Sequence, residues 1–194
     1  MLPFLTIFIV FCILLTYHIK KNDGAQQQMM DNFLEKERKS NTVRKKDLST
    51  LDYVHLPLEK ISVQLHTTTE EQLFALAELP MVNLGGISNT DLKLTYGTAN
   101  LDILSQYDIH FTDMIALLPV YAKELQDAGQ EQTALELLEF AITCNADSRK
   151  IYQMLTDIYK ENGNSEKLHW LKEKAEHITS DMTKQVVLNS LSSI

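Results

Sequence analysis

The sequence predicts an all-α protein with an N-terminal transmembrane helix, a polar linker, and then antiparallel helix pairs with flanking helices. Three observations predict it. Residues 2–19 carry no charged side chain. Between residues 112 and 178, apolar positions recur at helical spacing and break at Asp127-Ala128-Gly129, then again at Glu161-Asn162-Gly163. A capping signal near Thr68 and an apolar stripe from Asp181 mark further helices on either side.

Composition narrows the function classes. Two cysteines in 194 residues, Cys12 and Cys144, exclude a disulfide framework and a multi-cysteine metal centre. A net charge of −8 argues against a nucleic-acid binder, which needs a basic surface to displace counterions.

The stretch LPFLTIFIVFCILLTYHI over residues 2–19 is about 27 Å long as a helix, close to the ~30 Å hydrocarbon core of a bilayer. It lacks the basic leader of a cleaved signal, and Asp23 stands where a small residue is needed before Ala25. An uncleaved anchor is therefore expected. Eight basic and four acidic residues lie between Lys20 and Lys46, so the positive-inside rule predicts a single-pass membrane protein with its following domain in the cytoplasm. The bilayer, through residues 2–19, is thus one expected partner.

Residues 20–46 read as a basic juxtamembrane linker. Asn22-Asp23-Gly24 is expected to break the first helix, and Met29 to Lys46 reads as a polar helix with sparse apolar residues (Met30, Phe33, Leu34). It serves as a spacer, the alternative being a segment drawn to anionic lipid. Beyond it the balance reverses, to a net of −12 over residues 47–194.

Residues 47–111 form the helical and irregular first part of the expected soluble domain. Pro57 and the alternation Ile61, Val63, Leu65 make residues 48–65 irregular or a short strand. Thr68-Thr69-Glu70-Glu71 reads as a capping box opening a helix through Leu79, which Pro80 stops, with Leu73, Phe74, Leu76 and Ala77 on its core face. Residues 82–111, with Gly85-Gly86 and Tyr96-Gly97, read as short helices and turns.

Residues 112–178 contain two helix pairs. Positions 34 apart match in apolar character or in being glycine: Leu118 with Tyr152, Tyr121 with Leu155, Leu125 with Tyr159, Gly129 with Gly163, Ala134 with Leu168, Ala141 with Ala175. This pattern resembles the tetratricopeptide repeat, a 34-residue helix–turn–helix unit. Leu118, Tyr121, Ala122 and Leu125 match its first helix, and Ala134, Leu138 and Ala141 its second. Tyr152, Leu155, Thr156 and Tyr159, followed by Leu168 and Ala175, match the next unit. Departures are Lys172 at the family's large aromatic, Leu168 at its small alanine, and Ala146 and Ser180 at its inter-repeat proline. Pro119 falls inside the opening helix and is expected to kink it if that helix begins near Thr112. Two units are fewer than the ~three usually needed for stability, so the 68–79 helix and a capping helix in 179–194 (Met182, Val186, Val187, Leu191) are expected to complete the core.

The resemblance implies a binding module whose concave face is lined by the first helix of each pair. The matching positions are Lys123, Gln126 and Asp127, then Lys150, Gln153, Asp157, Lys160 and Glu161. They lack the asparagines that grip a peptide carboxylate in the family's chaperone-binding members.

Six histidines form no HExxH, and His169 and His177 lie ~12 Å apart along one helix, too far to close on one ion. Leu84-Gly85-Gly86-Ile87 lacks the basic residue of a phosphate cradle, and Cys144 has no base adjacent in sequence. No catalytic residue, cofactor or metal is expected. The function expected is a membrane-anchored scaffold or adaptor for a protein partner. The alternatives are a structural or assembly factor of the cell envelope with its domain outside, or an enzyme with its site in residues 82–111.

Overall fold

The computed structural model describes residues 2–61 and 64–192. Val63 of the expected alternation and the last two residues of the 179–194 segment lie outside them. The described residues form α1 (Leu2–Asn41), α2 (Thr68–Ala77), α3 (Asn89–Tyr96), α4 (Leu101–Asp127), α5 (Glu131–Thr143), α6 (Arg149–Glu161), α7 (Ser165–Ala175) and α8 (Asp181–Ser192). Two short 3-10 turns, Leu58–Lys60 and Thr98–Asn100, accompany them. Apart from one bridge between Tyr53 and Val82, no β-pairing occurs among the described residues, and the protein is all-α. The chain divides into two units, residues 1–46 with 88–101, and residues 47–87 with 102–194.

In the first unit, α1 runs unbroken through Asn22-Asp23-Gly24, where a break was expected. Once a helix is nucleated each further residue adds a hydrogen bond, and one glycine costs only ~1 kcal/mol relative to alanine. The expected single-pass membrane localisation with a cytoplasmic domain is corrected at the same helix. Among the described residues no helix is long and apolar enough to cross a membrane. α1 is 40 residues long, and its continuous apolar run fills only the N-terminal part. The helix then continues directly into exposed Lys20, Lys21 and Asp23. The bilayer span over residues 2–19 falls with that finding.

The far end of α1 is clamped by the 88–101 segment. Glu37 accepts hydrogen bonds from Lys93 and from Thr90 (2.6 Å), and these hold its carboxyl below the usual range. Lys36 pairs with Asp91 at 2.7 Å. The buried Asn100 amide donates to the carbonyls of Lys46 (2.7 Å) and Tyr96 (2.8 Å). Gly97 stands at φ +87°, and a Cβ there would lie 2.3 Å from the Arg44 carbonyl oxygen, so only glycine lets the two backbones meet.

In the second unit, α4 starts at Leu101, well before Thr112. Leu104, Phe111, Ile115 and Leu118 stay in helical phase with Tyr121 and Leu125, so one buried stripe serves a single long helix. It passes through Pro119, which cannot donate the usual bond to the Ile115 carbonyl. The α2 cap lies one residue earlier than expected. Thr67, not Thr68, has the extended backbone of a cap, and its hydroxyl accepts from the Glu70 amide. Glu70 is buried and accepts from the backbone amides of Leu65 (3.1 Å) and His66 (2.7 Å) and from the Tyr121 hydroxyl. That carboxylate ties the α2 entrance to the C-terminal third of α4.

Two turns end their helices alike. Gly129 (φ +74°) and Gly163 (φ +62°) occupy the left-handed region. At the first turn Gln130 N donates to Leu125 O and Gly129 N to Gln126 O. At the second, Asn164 N donates to Tyr159 O and Gly163 N to Lys160 O. This is the Schellman arrangement, which satisfies the last carbonyls while reversing the chain. Asn145, at φ +55°, repeats the device after α5.

The seam closed by these reversals contains Leu118, Tyr121, Leu125, Leu137, Leu138, Ile151, Leu155, Tyr159 and Leu171, all at most 2% exposed. On α2, Leu73 is fully buried, while Phe74, Leu76 and Ala77 are partly buried against the core. α8 adds Val187 and Leu191, with Val186 half-buried. Met182, expected on that face, is instead 79% exposed because it lies in the helix's first turn beyond the seam.

Two predictions follow from the clamp and the buried carboxylate. Gly97→Ala forces both a positive φ and a backbone overlap, and is expected to cost ~2 kcal/mol or more; hydrogen exchange of the 89–96 amides should accelerate while the 131–175 amides stay protected. Burial alone pushes the Glu70 carboxyl up, but the Tyr121 hydroxyl and two amides outweigh it and hold it below the usual range. The folded chain thus binds that proton less readily than the unfolded one. Its contribution is complete above the ordinary carboxylate pKa of about 4.3 and is lost as pH falls through the folded value. Glu70→Gln should cost ~2 kcal/mol at pH 7 in urea unfolding, with the gap to wild type narrowing below pH 4.

Candidate functional site

α4 and α6 frame an open groove of about 880 Å³. Core-facing positions on both helices go to the seam, and the residues at the edge of those apolar faces line the groove. Ile115, Pro119 and Val120 come from α4, Met154 and Ile158 from α6, and together they make an apolar floor. Val120 is half exposed, and Met154 and Ile158 are partly exposed. Lys123, Glu124 and Gln126 border the floor on α4; Lys150, Asp157 and Glu161 border it on α6.

The border charges differ in how far they are already engaged. Lys123 pairs with Asp127 one turn on, at 2.7 Å. Glu124 accepts from the hydroxyls of Thr67 (2.6 Å) and Thr69 (2.7 Å), which join the α2 entrance to the groove wall. Lys150, Asp157 and Glu161 enter no ion pair or side-chain hydrogen bond among the described residues.

Five of the eight residues singled out from the sequence line this groove: Lys123, Gln126, Lys150, Asp157 and Glu161. Asp127 stands outside the lining as the partner of Lys123. Gln153 and Lys160 face a smaller hollow of about 260 Å³ that α6 shares with Val186, Val187 and Ser190 of α8, and Asp157 borders both hollows. The apolar floor escaped the sequence reading, though a signal existed. Met154 and Ile158, four apart, continue the Ile151–Leu155–Tyr159 core stripe at its edge, so the apolar face of α6 is wider than the seam covers.

The other chemistry-bearing residues are dispersed. His169 approaches Glu173 at 3.3 Å on an exposed surface. His177 lines a different hollow of about 800 Å³ with Asp52, His55, Asn83 and Cys144. Burial pushes the Cys144 thiol up, and the Asp52 charge adds to this, so it stays protonated. No cluster of three potential metal ligands occurs among the described residues. Residues 82–87 act as a latch. The Asn83 amide donates to the carbonyls of Cys144 (2.9 Å) and Asn145 (3.1 Å), and Leu84 N to Asp108 (2.9 Å). Three tyrosines are core residues: Tyr121, Tyr152 and Tyr159 are at most 3% exposed, and burial pushes Tyr152 up to about 12.

No family model matches the chain, and no curated protein or solved structure matches it either.

The edge and the centre of the apolar face of α6 should respond differently to substitution. Ile158→Glu changes a half-buried residue at the edge of the core, whose carboxylate can reach water, and is expected to cost ~1–2 kcal/mol. Leu155→Ala empties a fully buried position and should cost ~2–5 kcal/mol. Paired urea denaturation curves measure both.

Proposed function

We propose that residues 47–87 and 102–194 form a protein-binding module, with two repeat-like helix pairs in 112–178 presenting the groove between α4 and α6 to a partner segment. One observation carries this reading: a concave apolar floor, bordered on α6 by Lys150, Asp157 and Glu161, which the chain itself leaves unpaired among the described residues, lies between the first helices of the two pairs. A monomeric fold gains nothing by exposing Val120, Met154 and Ile158 side by side, whereas a partner covering them gains ~25 cal/mol for each Å² of apolar surface removed from water. The role is recognition, with no reaction catalysed. The 34-residue period, the shared turn geometry at Gly129 and Gly163 and the small buried residues Ala134, Ala141 and Ala175 support repeat-like packing.

A photo-crosslinking amino acid placed at Val120 or Met154 tests the reading in cells that express the full chain. The expected result is a discrete protein adduct from these positions that Ile158→Glu abolishes. Exposed Lys172 on α7 should give none. Equal adducts from the groove and from Lys172, or adducts indifferent to Ile158→Glu, would refute it.

A further inference from the structure

We infer that the segment held between α4 and α6 is an amphipathic α-helix of about three turns, with basic residues at the end that meets Asp157 and Glu161. This rests on the protein-binding reading above and specifies the chemistry of what is bound.

The first argument is length. The groove lining runs from Ile115 to Gln126 on α4 and from Lys150 to Glu161 on α6. Each run spans about 17 Å of helix axis. That length accommodates three turns of a bound helix or about five residues of extended chain.

Backbone chemistry chooses between the two. An extended segment brings an amide and a carbonyl at every residue, and each needs a partner once water is excluded. The described lining offers Gln126 and Ser148 as its neutral hydrogen-bonding side chains, and its floor is hydrocarbon. A helix satisfies its own backbone and asks only for an apolar surface. Met154 and Ile158 stand one turn apart on α6, as do Ile115 and Pro119 on α4. Two such rows form the sides of a trough into which a third helix sets side chains spaced i, i+3 or i+4, and i+7. Met154 is unbranched and deformable, which suits a floor that must mould to an incoming side chain.

Charge gives the bound helix its direction. Asp157 and Glu161 lie in the last half of α6, where the helix dipole adds negative potential, and Lys150 lies in its first turn at the positive end. Lys123 is already neutralised by Asp127, and Glu124 is held by Thr67 and Thr69. The uncompensated field therefore runs from positive at Lys150 to negative at Glu161. Across residues 47–194 the net charge is −12, so long-range attraction also favours a cationic ligand.

The test uses the full-length chain and a phage-displayed library of random 16-residue peptides, counter-selected against Met154→Glu/Ile158→Glu. Binders that depend on the floor are expected to carry apolar residues in the helical spacing and more Lys and Arg than Asp and Glu. The best of them, made synthetically and followed by fluorescence anisotropy, should lose at least tenfold in affinity when a central residue becomes proline. It should lose a similar factor when its basic residues become Glu, and on Asp157→Lys/Glu161→Lys protein. The peptide substitutions leave the protein untouched, so a folding defect in a variant cannot imitate the result. Floor-dependent binders that tolerate proline and lack helical spacing overturn the helix while leaving a protein-binding groove in place. Floor-dependent helical binders indifferent to charge inversion overturn the basic end. A library that returns no floor-dependent binder overturns this inference, and crosslinking from Val120 and Met154 then decides the underlying reading separately.

Discussion

Every larger feature of the second unit depends on how its helices reverse. At Gly129 and Gly163 a single residue in the left-handed region, with two backbone hydrogen bonds across it, sends the chain back within a few residues. A reversal that short leaves the next helix only one place to go, beside its predecessor. Each helix must then surrender one flank to the shared seam. The edges of the apolar faces of α4 and α6 that the seam leaves uncovered become the groove. Glycine matters here because an L-residue with a Cβ is strained at these dihedrals.

Around that reversal, polar groups do the registering that apolar contacts cannot. Leucine against alanine tolerates sliding by a fraction of a turn; a buried carboxylate with three donors does not. Glu70 joins the α2 entrance to Tyr121, and Glu124 joins the same entrance to the groove border through two threonine hydroxyls. On the other side, Glu139 accepts from the Tyr159 hydroxyl at 2.7 Å and pairs with Lys167 at 2.9 Å, bracing α5 against α6 and α7. The groove is thus framed by helices held in register from behind, and its floor is free to vary.

What could be read in the sequence divides by the range of the interactions that decide it. The glycine turns, the α5–α8 helices and the core stripes follow from period and local backbone chemistry, and these were legible. The start of α4 was not, because Tyr96-Gly97 suggests loops, while the phase linking Leu104 to Tyr121 shows only when the whole stretch is taken as one helix. The continuity of α1 past Gly24 is hidden from a local reading, because the cooperativity of a long helix outweighs one local breaker. In the groove, the polar positions of α4 and α6 follow from helical period, whereas the floor depends on how far the seam covers the edge of the apolar face of α6. That coverage is a matter of tertiary packing.

The division of the chain into discontinuous units has a consequence for how it can be cut. Residues 88–101 belong with residues 1–46, yet they interrupt the second unit between its latch and α4. Removing the first 46 residues looks, on a linear map, like trimming a dispensable leader. It would strip Glu37 from Lys93 and Thr90, take the Lys46 carbonyl from the Asn100 amide, and leave Leu92 without its cover. The shortened polypeptide would carry an orphaned insertion at the root of its longest helix, a site for protease nicking and self-association that the intact chain keeps closed.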